Sequence, residues 1–229
     1  GTHYDDNDYW LSGNYFQKGL LWERPVHIEY FDDTGYSRLS QDAGIRIHGG
    51  RTRGLAQKTL RLYAREEYGK KYFNYNLLPN TDNNNYKRFL LRTTFGGYGG
   101  ENSIIKDEAA HSIAREIGLD TQDFNHAIVF INGEYWGIHG IRDYIDENYI
   151  AYKHNIDKDS IYIIEEEADS LYLIMRDMFS FIENNNMTVI DAYEHINNVI
   201  DINNYIDYQI TEMFLQNKDW PGNNMKFWR

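Results

Sequence analysis

The stretch AGIRIHGGRTRGLAQKTLRLYA, residues 43–64, decides how the fold is read. Its two ends alternate: Ile45 and Ile47, then Leu60 and Leu62, recur at every second residue, the period of a strand with one buried face. The connector GGRTRGLAQ is glycine-rich and basic, so the strands are expected to pair as a hairpin with a positively charged loop. Gly49, Gly50 and Gly54 let backbone amides approach a phosphate, Arg51 and Arg53 add charge, and Lys58 opens the next strand within reach of the same group. The spacing is neither a Walker A motif nor G-x-G-x-x-G. By itself, the plainer reading is a flexible basic hairpin, with Lys58 lying over apolar neighbours.

Outward from this hairpin the first half of the chain is strand-rich. PVHIEYF (25–31) alternates with Val26, Ile28 and Tyr30 on one face, and the turn DDTG follows. YKRFLLRTT (86–94) is a further strand, followed by the loop FGGYGGENS (95–103). A helix is expected over about 104–117, with Asp107, Ala110, Ala114 and Ile117 toward the core and Gly118 as its left-handed stop. HAIVFING and EYWGIHGIRDYI then form a hairpin joined at Asn132-Gly133.

The second half changes character. ENYIAYKHN starts a helix, IYIIEEE is a short strand, and helical spacing covers about 169–184, 188–198 and 201–216. The last helix lines up Ile202, Ile206, Ile210, Met213 and Phe214 as a stripe expected to be buried. The asparagine clusters at 83–85 and 184–186 read as plain loops. The fold class is α+β, with a strand-rich lobe over 1–143, a helical lobe over 144–229 and a cleft between them.

The 229 residues, 41 % hydrophobic and 16 % aromatic, are enough for one large domain or two small lobes and too apolar for disorder. A net charge of −12 argues against non-specific binding to nucleic acid, although Lys and Arg concentrate between Arg46 and Arg92. No apolar run approaches the roughly 20 residues of a membrane-spanning helix. The absence of cysteine rules out disulfides and thiolate metal sites. The opening GTHYDDNDYW is polar and carries no signal-peptide pattern, and the closing MKFWR reads as the start of a strand.

The stretch LQNKDWPGNN (215–224) follows the last helix, and Pro221-Gly222 forces the chain out of it. Asn224 lies five positions after Asp219. A phosphotransfer loop needs such an arrangement: a carboxylate to orient the substrate hydroxyl, then an amide oxygen to ligate a metal ion. Alone, an Asp and an Asn around a Pro-Gly turn usually bond their own backbone. Asp107 on the first helix needs a partner if buried, and Lys58 is the candidate; helix capping is the plainer account, and Glu108 is the runner-up for the pair. The histidines show no metal-ligand spacing.

With these stretches in view the chain resembles the CotH kinase family, atypical protein-kinase-like proteins named after a bacterial spore coat protein. The resemblance rests on WERPVHIEYF, QDAGIRIHGGRTRGLAQKTLRLYAREEYG, FLLRTT, IIKDEAAHSIAREIGLDTQ, VFINGEYWGIHGIRDYID and NKDWPGNNMKFWR, in the family's order from about residue 13 to the end. It implies a small two-lobed kinase-like fold, ATP and Mg2+ or Mn2+ as cofactors, and phosphorylation of Ser or Thr in proteins, with coat or cell-surface proteins as partners and a secreted, surface or spore-coat location. Residue by residue, Lys58 matches the nucleotide-phosphate lysine, Asp107 the acid that orients it, Asp219 the catalytic aspartate and Asn224 the metal-ligating asparagine. Gly140 to Asp143, with Arg142 among them, would form the hinge beside the adenine, and Arg51 and Arg53 would add charge at the phosphates. Arg92 matches an arginine of the family, although Thr93 stands where an asparagine is usual. The family's second metal-binding aspartate is expected beyond Arg229, so the kinase domain reads as truncated at its C-terminus and inactive by itself. The alternatives are a non-catalytic surface, spore-coat or adhesin-type binding module with the same fold, and phosphotransfer to a small molecule.

Overall fold

The computed structural model describes residues 13–93, 105–164, 172–218, 220 and 225–229, without the side chains of Arg51, Tyr172 and Ile174. The fold is α+β and divides into two compact units: residues 1–108 with 122–145, and residues 109–121 with 146–229.

The first unit holds an antiparallel sheet in the order β1-β2-β3-β4-β6-β5. β1 (Arg24–Phe31) and β2 (Ser37–Ile47) form a hairpin in which Arg24 faces Ile45 and Tyr30 faces Leu39. The Asp32 carboxylate organises its turn, accepting from the Thr34 and Tyr36 amides at 3.0 and 3.1 Å and from Arg38 Nε at 2.6 Å. The Thr34 hydroxyl first, and then Arg38, hold the Asp32 carboxyl down at about 2. β3 (Leu60–Tyr63) pairs with β2, so the expected pairing across the basic loop forms, with Ile45 opposite Leu62 and Arg46 opposite Arg61.

β4 (Arg88–Thr93) pairs with β3 and with β6 (Glu134–Asp143), and β6 turns back from β5 (Phe124–Ile131) at Asn132-Gly133, both left-handed. That is the hairpin the Asn-Gly pair predicts.

The core lies on one face of this sheet. Leu39, Ala43, Leu62, Phe89 and Ile141 pack against Ala64, Phe73, Leu77, Leu78 and Tyr86. The last five belong to an excursion between β3 and β4; the sequence reading placed Ala64 and Tyr86 at strand ends and left Phe73, Leu77 and Leu78 unassigned. A bridge between Phe73 and Tyr86 closes it, and the Phe73 ring meets Phe89 edge-on at 4.9 Å. The asparagines at 83–85 are part of this closure: Asn83 Oδ1 accepts from the Asn85 amide at 2.9 Å and the Asn83 carbonyl accepts from Tyr86 Oη at 2.8 Å. At the other end of β2, buried Glu23 accepts from Arg65 Nε and Nη2 at 2.8 and 3.1 Å. A Cβ on Gly44 would collide with that carboxylate and with the Tyr68 ring, so any larger residue there must displace them.

Helix α1 (Lys106–Glu116) starts in the first unit and continues in the second. Its buried acid is Glu108, 3 % exposed, whereas the Asp107 side chain is 44 % exposed. Ile117, expected to face the core, lies past the end of the helix and is exposed, and Gly118 turns the chain with φ +86°.

In the second unit α2 (Glu147–His154) begins at Asp146, whose carboxylate accepts from the Asn148 and Tyr149 amides at 2.8 and 3.0 Å. Asp120 gathers Lys153, His154 and the Trp228 indole at 3.2, 3.0 and 3.2 Å. β7 (Ile163–Ile164) pairs with β8 (Phe227–Trp228), so a two-residue strand forms within MKFWR, which was expected to start one. Helices α3 (Tyr172–Asn184), α4 (Ile190–Asn197) and α5 (Ile202–Phe214) complete the described part. The stripe on α5 is real as a pattern, but it is not buried: Ile202 is half-buried, and from Ile206 to Phe214 exposure runs from 46 % to 71 %. Periodicity marks a face of a helix and does not supply its cover.

Candidate functional site

The loop from Gly49 to Lys58 is held from inside. A short 3-10 turn, Arg51–Gly54, follows the left-handed Gly49. Arg53 is buried and spends its guanidinium on carbonyls: Nε donates to Gly49 at 2.5 Å, and Nη1 donates to Gln17 and Tyr15 at 2.9 and 3.1 Å. It ties the segment 13–22 to the loop. Burial lowers the Arg53 pKa, and the charge of Arg61 lowers it further.

Lys58 points back into the same loop. Its ammonium donates to the carbonyls of Leu55 and Arg53 at 2.5 and 2.7 Å and lies 4.2 Å from the centre of the Tyr15 ring. Burial lowers its pKa. The adjoining Gln57 reaches across to β6: its amide donates to the Ile138 carbonyl at 2.9 Å, and its oxygen accepts from Thr93 Oγ1 at 2.7 Å. His139, with no exposed surface, donates from Nε2 to the Lys58 carbonyl at 3.2 Å and accepts from the Gln57 amide at Nδ1 at 3.3 Å. A neutral ring satisfies both contacts, and burial lowers the His139 pKa accordingly. Gly137, at φ +93°, leaves room for Gln57; a Cβ there would stand 2.8 Å from its amide nitrogen.

The expected Lys58–Asp107 pair is not made. Asp107 pairs with Arg142 and, at 3.4 Å, with Arg92, while Arg142 Nη2 donates to Glu108 at 2.6 Å. The reason is position: Lys58 precedes β3 and finds acceptors in its own loop, whereas Arg142 on β6 extends its buried guanidinium to the first turn of α1. Arg142, expected beside an adenine, is therefore engaged by two carboxylates. Asp219, Asn224 and the Arg51 side chain lie outside the described residues. What is described is the frame of the Asp219 loop: α5 ends at Phe214, Asn217 donates to Glu212 at 2.7 Å, and the chain resumes in β8. Among the described residues no cluster of His, Asp or Glu has the geometry to hold a metal ion.

The sequence reading missed two residues that the sheet brings beside this loop. Arg46 and Arg61, paired across β2 and β3, line a cavity of about 220 Å3 together with Arg53, Gly49, His48, Tyr144 and residues of the 13–22 segment. The two arginines were legible as alternate positions opposite Ile45, Ile47, Leu60 and Leu62, but only the register shows that they meet.

A family model described as CotH kinase protein matches residues 45–229. The chain belongs to the CotH kinase family. No curated protein matches it. The CotH match begins within β2, so it takes in the basic loop, α1, the β5–β6 hairpin and the Asp219 loop, and leaves β1 and the 13–22 segment outside.

Proposed function

We propose that this CotH-family chain belongs to an ATP- and divalent-metal-dependent protein kinase of two-lobed, kinase-like architecture that phosphorylates Ser or Thr, with coat or cell-surface proteins as its substrates. The observation that carries the reading is Lys58. Its ammonium, partly desolvated, is held beside a glycine-rich basic loop by neutral carbonyls and an aromatic ring, with no carboxylate partner among the described residues. A nucleotide phosphate entering that loop offers it the countercharge it lacks. Asp219 would orient the acceptor hydroxyl and Asn224 would ligate the metal, each from the loop between α5 and β8.

One observation favours a second reading, a non-catalytic surface module: Asp107 pairs with arginines and not with Lys58. The two separate in one experiment, phosphate incorporation from labelled ATP by the full-length protein and by its Asp219→Ala variant. The kinase reading expects a loss of about 100-fold or more. Equal incorporation by both proteins, or none by either, overturns it.

A further inference from the structure

The cavity beside the basic loop is unusual for a chain with a net charge of −12. Lys18, Arg46, Arg53 and Arg61 line it, and no carboxylate stands among the described lining residues. The positive charge is poorly compensated. Arg46 lies 3.2 Å from Glu23, but Glu23 also serves Arg65, so one carboxylate is shared by two guanidinium groups. Arg53 is satisfied only by carbonyls, which accept hydrogen bonds without cancelling charge. Arg61 makes no ion pair among the described residues; it lies over Tyr63 and Tyr144, 5.1 and 4.5 Å from the ring centres. The Nε atom of Arg61 is buried and makes no hydrogen bond to another described side chain or carbonyl. Three guanidinium groups thus share a partly enclosed space, and a bound anion would relieve their repulsion.

Size and shape narrow the anion. At about 220 Å3 the cavity is smaller than the roughly 300–1,000 Å3 of sites that enclose a drug-sized molecule. It suits a phosphoryl group on a short stem, with arginine forks for its oxygens and Tyr15, Trp22 and Tyr144 as walls. It overlaps the loop expected to take nucleotide phosphates at Gly49 and Arg53, whereas Lys58, Asp107 and Arg142 are not among its described lining residues. Its outer wall, Asn14 to Trp22, precedes the CotH match altogether.

The geometry points to this cavity as a binding site for a phosphate monoester, supplied by a phosphorylated Ser or Thr side chain or by a small free phosphate. The inference does not depend on phosphoryl transfer by this chain, so it stands or falls apart from the kinase reading. Titration calorimetry on the complete chain tests it with three probes: inorganic phosphate, a short phosphoserine peptide and the same peptide unphosphorylated. The unphosphorylated peptide is expected not to bind, and Arg61→Met is expected to weaken the phosphorylated probe on the order of 10-fold or more. A phosphopeptide at least about 10-fold tighter than inorganic phosphate assigns the site to a phosphorylated side chain, and comparable affinities assign it to free phosphate. No binding by either phosphate probe, or binding indifferent to Arg61→Met, overturns the inference. Should the variant fail to fold, the unmutated chain still decides: phosphate must raise Tm above chloride of equal ionic strength, and no difference between the two salts overturns it.

Discussion

Glu108 and Asp107 are neighbours on one helical turn with opposite surroundings. Glu108 is buried against Arg142, whereas Asp107 is almost half exposed and shares Arg142 with Arg92. Burial decides which contact matters for stability. Arg142→Ala leaves the Glu108 carboxylate uncompensated in a dry site and is expected to cost about 3–5 kcal/mol. Asp107→Asn removes one half-exposed charge and is expected to cost about 1 kcal/mol or less. Urea unfolding of the two variants checks the order, and an Asp107 variant that destabilises as much as the Arg142 variant would show that the exposed acid is the anchor. At this scale sequence reading found the right turn of the right helix. It chose between adjacent acids by spacing, whereas the partner comes from β6, too distant in the chain for any local pattern to register.

Among the elements, the loop Gly49–Lys58 is irregular apart from one 3-10 turn and is tied from several sides. Gln57 and His139 connect it to β6, and His139 is neutral because it is buried. Its folded pKa lies below the ordinary 6.5, so as pH falls through 6.5 the unfolded chain takes up a proton that the folded chain refuses. The stability contributed is whole above 6.5 and is lost as pH falls toward the lower folded value. Chemical unfolding over about pH 5 to 8 should show this decline, and His139→Asn should flatten it. An unchanged slope in the variant would place the titration elsewhere. The strands were legible in part: alternation gives β1, β3 and the end of β2 from Ala43 on but not its first half, 37–42, and Asn132-Gly133 gives the β5–β6 turn. The excursion that carries Phe73, Leu77 and Leu78 was not, because its residues follow neither a strand nor a helix period and are buried only by the sheet they cover.

Across the molecule, apolar residues of one hydropathy class end in opposite surroundings: both units have buried ones, such as Phe73 and Ile150, and exposed ones, such as Phe130 and Phe214. Phe73 has no exposed surface, and Phe214 is 71 % exposed. Phe73→Ala should therefore cost about 3–5 kcal/mol, and Phe214→Ser should stay within about 0.5 kcal/mol of the parent. Thermal and urea unfolding measure both, and a large loss from Phe214→Ser would mean that the open stripe is covered in solution. Both residues look alike in a hydropathy pattern. The candidate site divides in the same way: the basic loop and Lys58 could be singled out by composition, but the meeting of Arg46 with Arg61 follows from strand register alone.

The two bonds from Arg53 to the carbonyls of Tyr15 and Gln17 bear on how the protein is best handled at the bench. A piece trimmed to the CotH match, starting at Ile45, would lack β1, most of β2 and two of the three carbonyl acceptors of Arg53. It would present β3 and the stump of β2 as a raw sheet margin and would open the arginine cavity to bulk water. Ligand screens run on such a piece would report on a different object, so the boundary for expression belongs upstream of Gly13.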